Sequence, residues 1–124
     1  MAKEELSKTR KISSWAIVGL LVALFAFSSI SKIAGVEMVA TNFEKWGLPS
    51  WLTIIGIGEL LSAILYLIPR TSSLGVLLLS AHMGGAIVTH MSNSEPFIFQ
   101  AVILLLVWVG NYLRNPEMLS SFNK

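Results

Sequence analysis

Apolar residues along this chain gather into four long runs, each closed by a short polar or proline-bearing link. The first extends from Ile12 to Ser31, the second from Trp51 to Ile68, the third from Ser72 to Met91 and the fourth from Phe97 to Leu113. At a helical rise of about 1.5 Å per residue, the second run is about 27 Å long, close to the hydrocarbon thickness of a bilayer. The pattern predicts membrane helices over about 12–34, 51–68, 72–91 and 97–114. Ala26-Phe27-Ser28 has the small-x-small form of a signal-peptide cleavage site. The first run is long for such a peptide, so a retained helix is expected.

The longest link, 32–50, has its own period. Val36, Val39, Ala40, Phe43 and Trp46 recur at helical spacing, with Glu37, Asn42, Glu44 and Lys45 between them. It reads as an amphipathic surface helix over about 36–46 that caps one mouth of the bundle, with a plain loop as the competing reading. Gly47-Leu48-Pro49 turns the chain into the second run, and Pro69-Arg70-Thr71 turns it into the third. The expected organisation is a polar segment 1–11, one four-helix transmembrane domain 12–115 and a polar tail 116–124.

Composition narrows the class. The 124 residues are 54% hydrophobic and 13% charged, and mean hydropathy is +0.71; a soluble domain carries about 25% charged residues. A net charge of +2 with no basic stripe argues against nucleic acid. No cysteine is present, so disulfides and iron–sulfur ligation are excluded within the chain. With four spans, Lys3, Lys8, Arg10, Lys11, Arg70, Arg114 and Lys124 share one side, opposite Lys32 and Lys45. The positive-inside rule then puts both termini in the cytoplasm. Trp15, Tyr66 and Tyr112 would mark that interface, and Trp46 and Trp51 the other.

Glu59 stands near the middle of the second run, where a bare carboxylate is expensive. His82 lies at a matching depth in the third, so the two are candidates for one buried pair. Small residues flank both: Gly56, Ser62, Ala63 and Tyr66 share the Glu59 face, and Gly75, Gly85, Ala86 and Thr89 that of His82. The candidate polar site is therefore Glu59, His82, Lys32, His90, Ser62 and Tyr66. Lys32, His90 and Gln100 would line an outer mouth, although a terminal Lys more often snorkels to the interface and a terminal His faces water. Asn111 is expected to bond a neighbouring backbone. Two His on one helix do not suit bis-histidine haem, and no third protein ligand offers itself for a metal.

Ser31-Lys32-Ile33-Ala34-Gly35, Phe43 to Pro49 (FEKWGLP), Ile55-Gly56-Ile57-Gly58-Glu59-Leu60, Ile68-Pro69-Arg70-Thr71 with Gly75, and Gly84 to His90 (GGAIVTH) resemble the DoxX-like family of small membrane proteins. The resemblance covers about residues 30–115. It implies a four-helix bundle of the bacterial cytoplasmic membrane, with Lys32, Glu59, Pro69 and His90 at family-like positions. It carries over no catalytic constellation. Relatives include a membrane subunit of a thiosulfate:quinone oxidoreductase, partners in oxidative-stress complexes and distant animal proteins that help assemble receptors.

Three functions are consistent with this. The first is a membrane partner or assembly subunit of a larger complex, with a protein partner or a second copy of the chain. The second is a quinone-linked redox subunit using Glu59 and His82. The third is a small-solute or proton-coupled transporter. No cofactor is expected except a quinone under the second reading.

Overall fold

The computed structural model describes residues 7–123; of the expected polar segment, residues 1–6, with Lys3, lie outside the described residues, as does Lys124. The architecture is all-helical. Helix α1 spans Lys8–Ala34, α2 Glu37–Lys45, α3 Leu52–Leu67, α4 Ser72–Ser92 and α5 Ile98–Arg114. Short 3-10 turns cover Pro49–Trp51, Pro69–Thr71 and Pro116–Asn123.

The ends of these helices follow from local chemistry. Helix α1 begins at Lys8, four residues before the first apolar position, because Ser7 caps it by accepting a hydrogen bond from the Arg10 amide at 3.1 Å. It stops at Gly35, whose φ of 69° is left-handed. The Gly35 and Val36 amides turn back onto the carbonyls of Lys32 and Ser31, at 3.1 Å each. Ile68 is extended ahead of Pro69, which ends α3. Pro116 stops α5 in the same way, and the following 3-10 segment bends away by 96°. The tail is therefore folded back, with Met118 against the core.

Helix α1 packs on α3 and α5, and α4 packs on the same two, so the long helices close a ring in the order α1–α3–α4–α5. Helix α2 lies across one end of that ring. The core is built of apolar residues such as Val18, Leu21, Leu79 and Val107, but polar groups join them inside and the outer surface is unlike that of a soluble bundle. Ser14, Ser29, Ser72, Asn111 and Glu59 are inside, while Leu20, Phe27, Leu77, Phe99 and Leu105 are each more than 60% exposed. Such a surface is stable only where its solvent is itself apolar. Three stretches, Lys8–Ala34, Pro49–Leu67 and Pro69–Ser92, are each long and apolar enough to cross a membrane, and α5 with its bent tail makes a fourth if that pair is one span.

At the end away from α2 the ring is tight. The Tyr66 hydroxyl donates to the Val107 carbonyl at 2.9 Å, and Ser14 Oγ to the Gly110 carbonyl at 2.8 Å. Arg114 closes the exposed carbonyls at the end of α3, donating to Leu67 O at 2.9 Å and to Tyr66 O. Arg10 does the same for α5, with Nε 2.7 Å from Leu113 O. Two expectations are corrected here. Tyr66 does not mark an interface but is fully buried, because Gly75 and Gly110 leave room for it on the neighbouring helices. Asn111 bonds side chains rather than backbone, donating to Met118 Sδ and accepting from Arg114 Nε.

Candidate membrane-embedded binding site

Glu59 sits on α3, is 3% exposed and receives donors from two other helices. Its Oε1 accepts from Lys32 Nζ at 2.9 Å and from Ser28 Oγ at 3.2 Å, both on α1. Its Oε2 lies 3.1 Å from His82 Nε2 on α4. Lys32 and Ser28 are one turn apart and are themselves joined at 2.6 Å. Gly56, one turn before Glu59, explains how α1 comes so near. A Cβ at that position would stand 2.8 Å from Lys32 Cβ and 3.1 Å from the Ser29 carbonyl.

Lys32 thus turns inward instead of snorkelling to the interface. The geometry also orients the His82 ring, whose Nε2 carries a hydrogen that faces the carboxylate. Ser62 and Tyr66 do not join the group. Ser62 Oγ donates to the Gly58 carbonyl of its own helix, and Tyr66 lies seven residues, about 10 Å of helix, farther along α3.

Beside this triad opens a cavity of about 690 Å³, lined by residues of all five helices. It falls within the range of about 300–1,000 Å³ typical of small-molecule sites. Its walls are largely apolar, with Phe25, Phe43, Ile55, Met83 and Ile103 among them. Leu24 and Phe27 from α1 and Phe99 from α5 line it as well and are themselves exposed, at 42%, 76% and 66%. His90 is at the mouth, its Nδ1 2.8 Å from the Ala86 carbonyl and its Nε2 3.4 Å from the Gln100 amide nitrogen.

Helix α2 covers that mouth. Phe43 is buried beneath it, with its ring 5.3 Å from that of Trp46, which lies 5.2 Å from the His90 ring. Glu95, in the link between α4 and α5, ties α2 down. It accepts from Lys45 Nζ at 2.6 Å and from Trp46 Nε1 at 3.0 Å. The Lys45 hydrogen bond, and less strongly that of Trp46, holds the Glu95 carboxyl below the usual carboxylate range. Neither Glu95 nor Ser28 stands out in the sequence; for Ser28 the four-residue spacing to Lys32 was the available signal. Among the described residues no three of His, Cys, Asp and Glu converge as a metal site would require.

The family model described as the DoxX-like family matches residues 16–110. The chain belongs to the DoxX-like family. Comparison with curated proteins and with solved structures gives no match. The matched stretch contains every residue of the cavity and its triad, while Arg114 and the folded-back tail of this DoxX-like protein fall beyond it.

Proposed function

We propose that this DoxX-like protein is a four-span subunit of a larger complex in the bacterial cytoplasmic membrane, and that its cavity binds the ring of a quinone. The observation that carries the reading is a largely apolar cavity with a Lys–Glu–His triad in its wall. A purely structural ion pair would be packed and dry; this one borders open space large enough for a substituted naphthalene ring. The exposed apolar side chains of Leu24, Phe27 and Phe99 on the cavity wall suit entry from lipid. Electrons would come from the partner protein.

The residues suit the proton chemistry of such a head group. Two of the three Lys32 N–H bonds are engaged by Ser28 and Glu59, and the third, which meets no acceptor among the described residues, can donate to a ring oxygen. When electrons from the partner reduce the ring, a protonated His82 can give its proton to a ring oxygen. When the ring is oxidised and its two electrons pass back to the partner, His82 can take a proton from a ring hydroxyl while Glu59 stabilises the imidazolium through Nε2. For topology, seven basic residues flank the ends that share the Pro69–Thr71 turn, which supports both termini being cytoplasmic. Cysteine labelling at position 44 in this Cys-free chain checks it: reaction from the cytoplasmic side alone would reverse the orientation.

The functional reading is tested by binding of menadione, a tail-less naphthoquinone, to the full chain in detergent. Glu59→Gln preserves the shape and a hydrogen-bonding amide, so the fold should persist with a modest change in Tm. Menadione affinity should fall about tenfold, equivalent to about 1.4 kcal/mol. Unchanged affinity in the Gln variant, or no binding by the wild type, rejects the reading.

A further inference from the structure

Helix α2 is joined to the bundle through a glycine at each end. Gly35 before it and Gly47 after it have φ of 69° and 76°, and both leave open space where a Cβ would stand. The chain can turn at either point without a side chain opposing it. Of the nine residues of α2 only Phe43 is buried. Among the described residues, the side-chain hydrogen bonds that tie 36–46 to the bundle both end on Glu95, from Lys45 Nζ and Trp46 Nε1. Lys45 is itself 58% exposed, so water competes for its bond. One apolar plug and one pair of hydrogen bonds mark a segment that opens while the bundle stays folded.

The acceptor is aimed by a strained turn. Ser94, just before Glu95, has a φ of 56°, left-handed backbone that residues other than glycine avoid. The turn brings the Glu95 amide back to the His90 carbonyl at 2.8 Å and its carboxylate to α2. Beneath α2, Val39, Asn42, Phe43 and Trp46 line the cavity that holds Lys32, Glu59 and His82 in its wall, so displacing the helix removes part of that wall. We propose that residues 36–46 are a lid, hinged at Gly35 and Gly47 and latched on Glu95, whose opening lets the ring of a ligand reach and leave the triad. The motion stands on the geometry of α2; the identity of the ring rests on the quinone reading above. The exposed wall of Leu24, Phe27 and Phe99 then serves an apolar tail, while the bulkier ring passes beneath α2.

The test ties the lid down. In this Cys-free chain, the full-length double variant Lys45→Cys with Glu95→Cys is either bridged by a short bis-methanethiosulfonate or capped on each thiol with methyl methanethiosulfonate. Both forms lack the latch and expose no free thiol to the quinone, so they differ only in the tether. Amides of 37–45 should exchange about tenfold or more faster in the capped form than in the bridged one, with wild-type protein between them. The bridge should slow association and dissociation of menadione about tenfold each and leave Kd within about twofold, because a gate alters both rates alike. Equal amide exchange in the two forms overturns the lid. Equal menadione rates overturn the passage beneath α2 and leave the quinone reading standing. Binding of menadione to neither form nor to wild type rejects the quinone reading and the passage assigned to its ring, while the exchange contrast still decides whether α2 is a lid.

Discussion

At the Arg114 end of the ring, Gly75 and Gly110 press against Tyr66, and Ser14, Tyr66, Arg10 and Arg114 each donate to a backbone carbonyl of another helix. At the α2 end, Gly85 faces space with no atom within 4 Å of where its Cβ would be, and polar side chains meet one another around a cavity. The same four long helices build both ends. What differs is what each glycine admits: a tyrosine in one case, a lysine at Gly56 in the second, and open volume at Gly85 in the third. Small residues in an apolar helix allow close approach, but the neighbour decides whether the result is packing or a pocket.

The largest effect should come from filling the tight end. In Gly75→Ala the new methyl would collide with the backbone nitrogen and Cα of Tyr66, which cannot swing aside as a flexible side chain can. Loss of about 3 kcal/mol or more is expected, with a corresponding drop in detergent Tm. Gly85→Ala adds the same atom where nothing opposes it, and should leave Tm unchanged or slightly raised through helix propensity. Equal destabilisation by both substitutions would erase the contrast between the ends.

A smaller effect is expected at the triad. Lys32→Met removes one of the three donors to Glu59 and should cost about 2 kcal/mol, less than an isolated buried pair would, because His82 and Ser28 remain. The double variant Lys32→Met with Glu59→Leu should recover part of that loss, since no unpaired carboxylate is left inside. Thermal melts of the two single variants and the double variant give the coupling. Strict additivity would mean that Lys32 and Glu59 do not stabilise each other.

The two ends were unequally legible in the sequence. Run lengths located α3, α4 and α5 to within a residue or two, since membrane thickness and prolines both limit them. Helix α1 starts earlier than the apolar pattern because its cap is a serine set among charged residues. Depth and helical period were enough to bring Glu59 and His82 together. They place Lys32 only at an outer mouth of the site, because its contact with Glu59 depends on Gly56, a residue of another helix, letting α1 come close. Ser62 and Tyr66 share the Glu59 face by period, yet one bonds its own helix and the other a carbonyl of α5. Period gives direction but not partners. The Glu95 contacts with α2 join residues about fifty positions apart and have no local signal at all.

The smallest expected effect concerns those contacts, which only the open end possesses. Lys45 is 58% exposed, so its pairing with Glu95 is weakened by water and salt, while buried Phe43 holds α2 independently. The Glu95 carboxyl is depressed when α2 is docked. Its contribution is therefore fully present above the usual carboxylate range and is lost as pH falls through the lowered value. Hydrogen-exchange protection of residues 37–45 should be flat from neutral pH down to about 5, then decline modestly, and more so in low salt, where the ion pair is stronger to begin with. His90 Nε2 stands 3.9 Å from Glu95 Oε1, so Glu95→Gln is the control that isolates the carboxylate. In that variant protection should start slightly lower and lose its acid dependence. An acid decline that persists unchanged in Glu95→Gln would place the titrating group elsewhere and remove Glu95 from its role of holding α2 over the cavity.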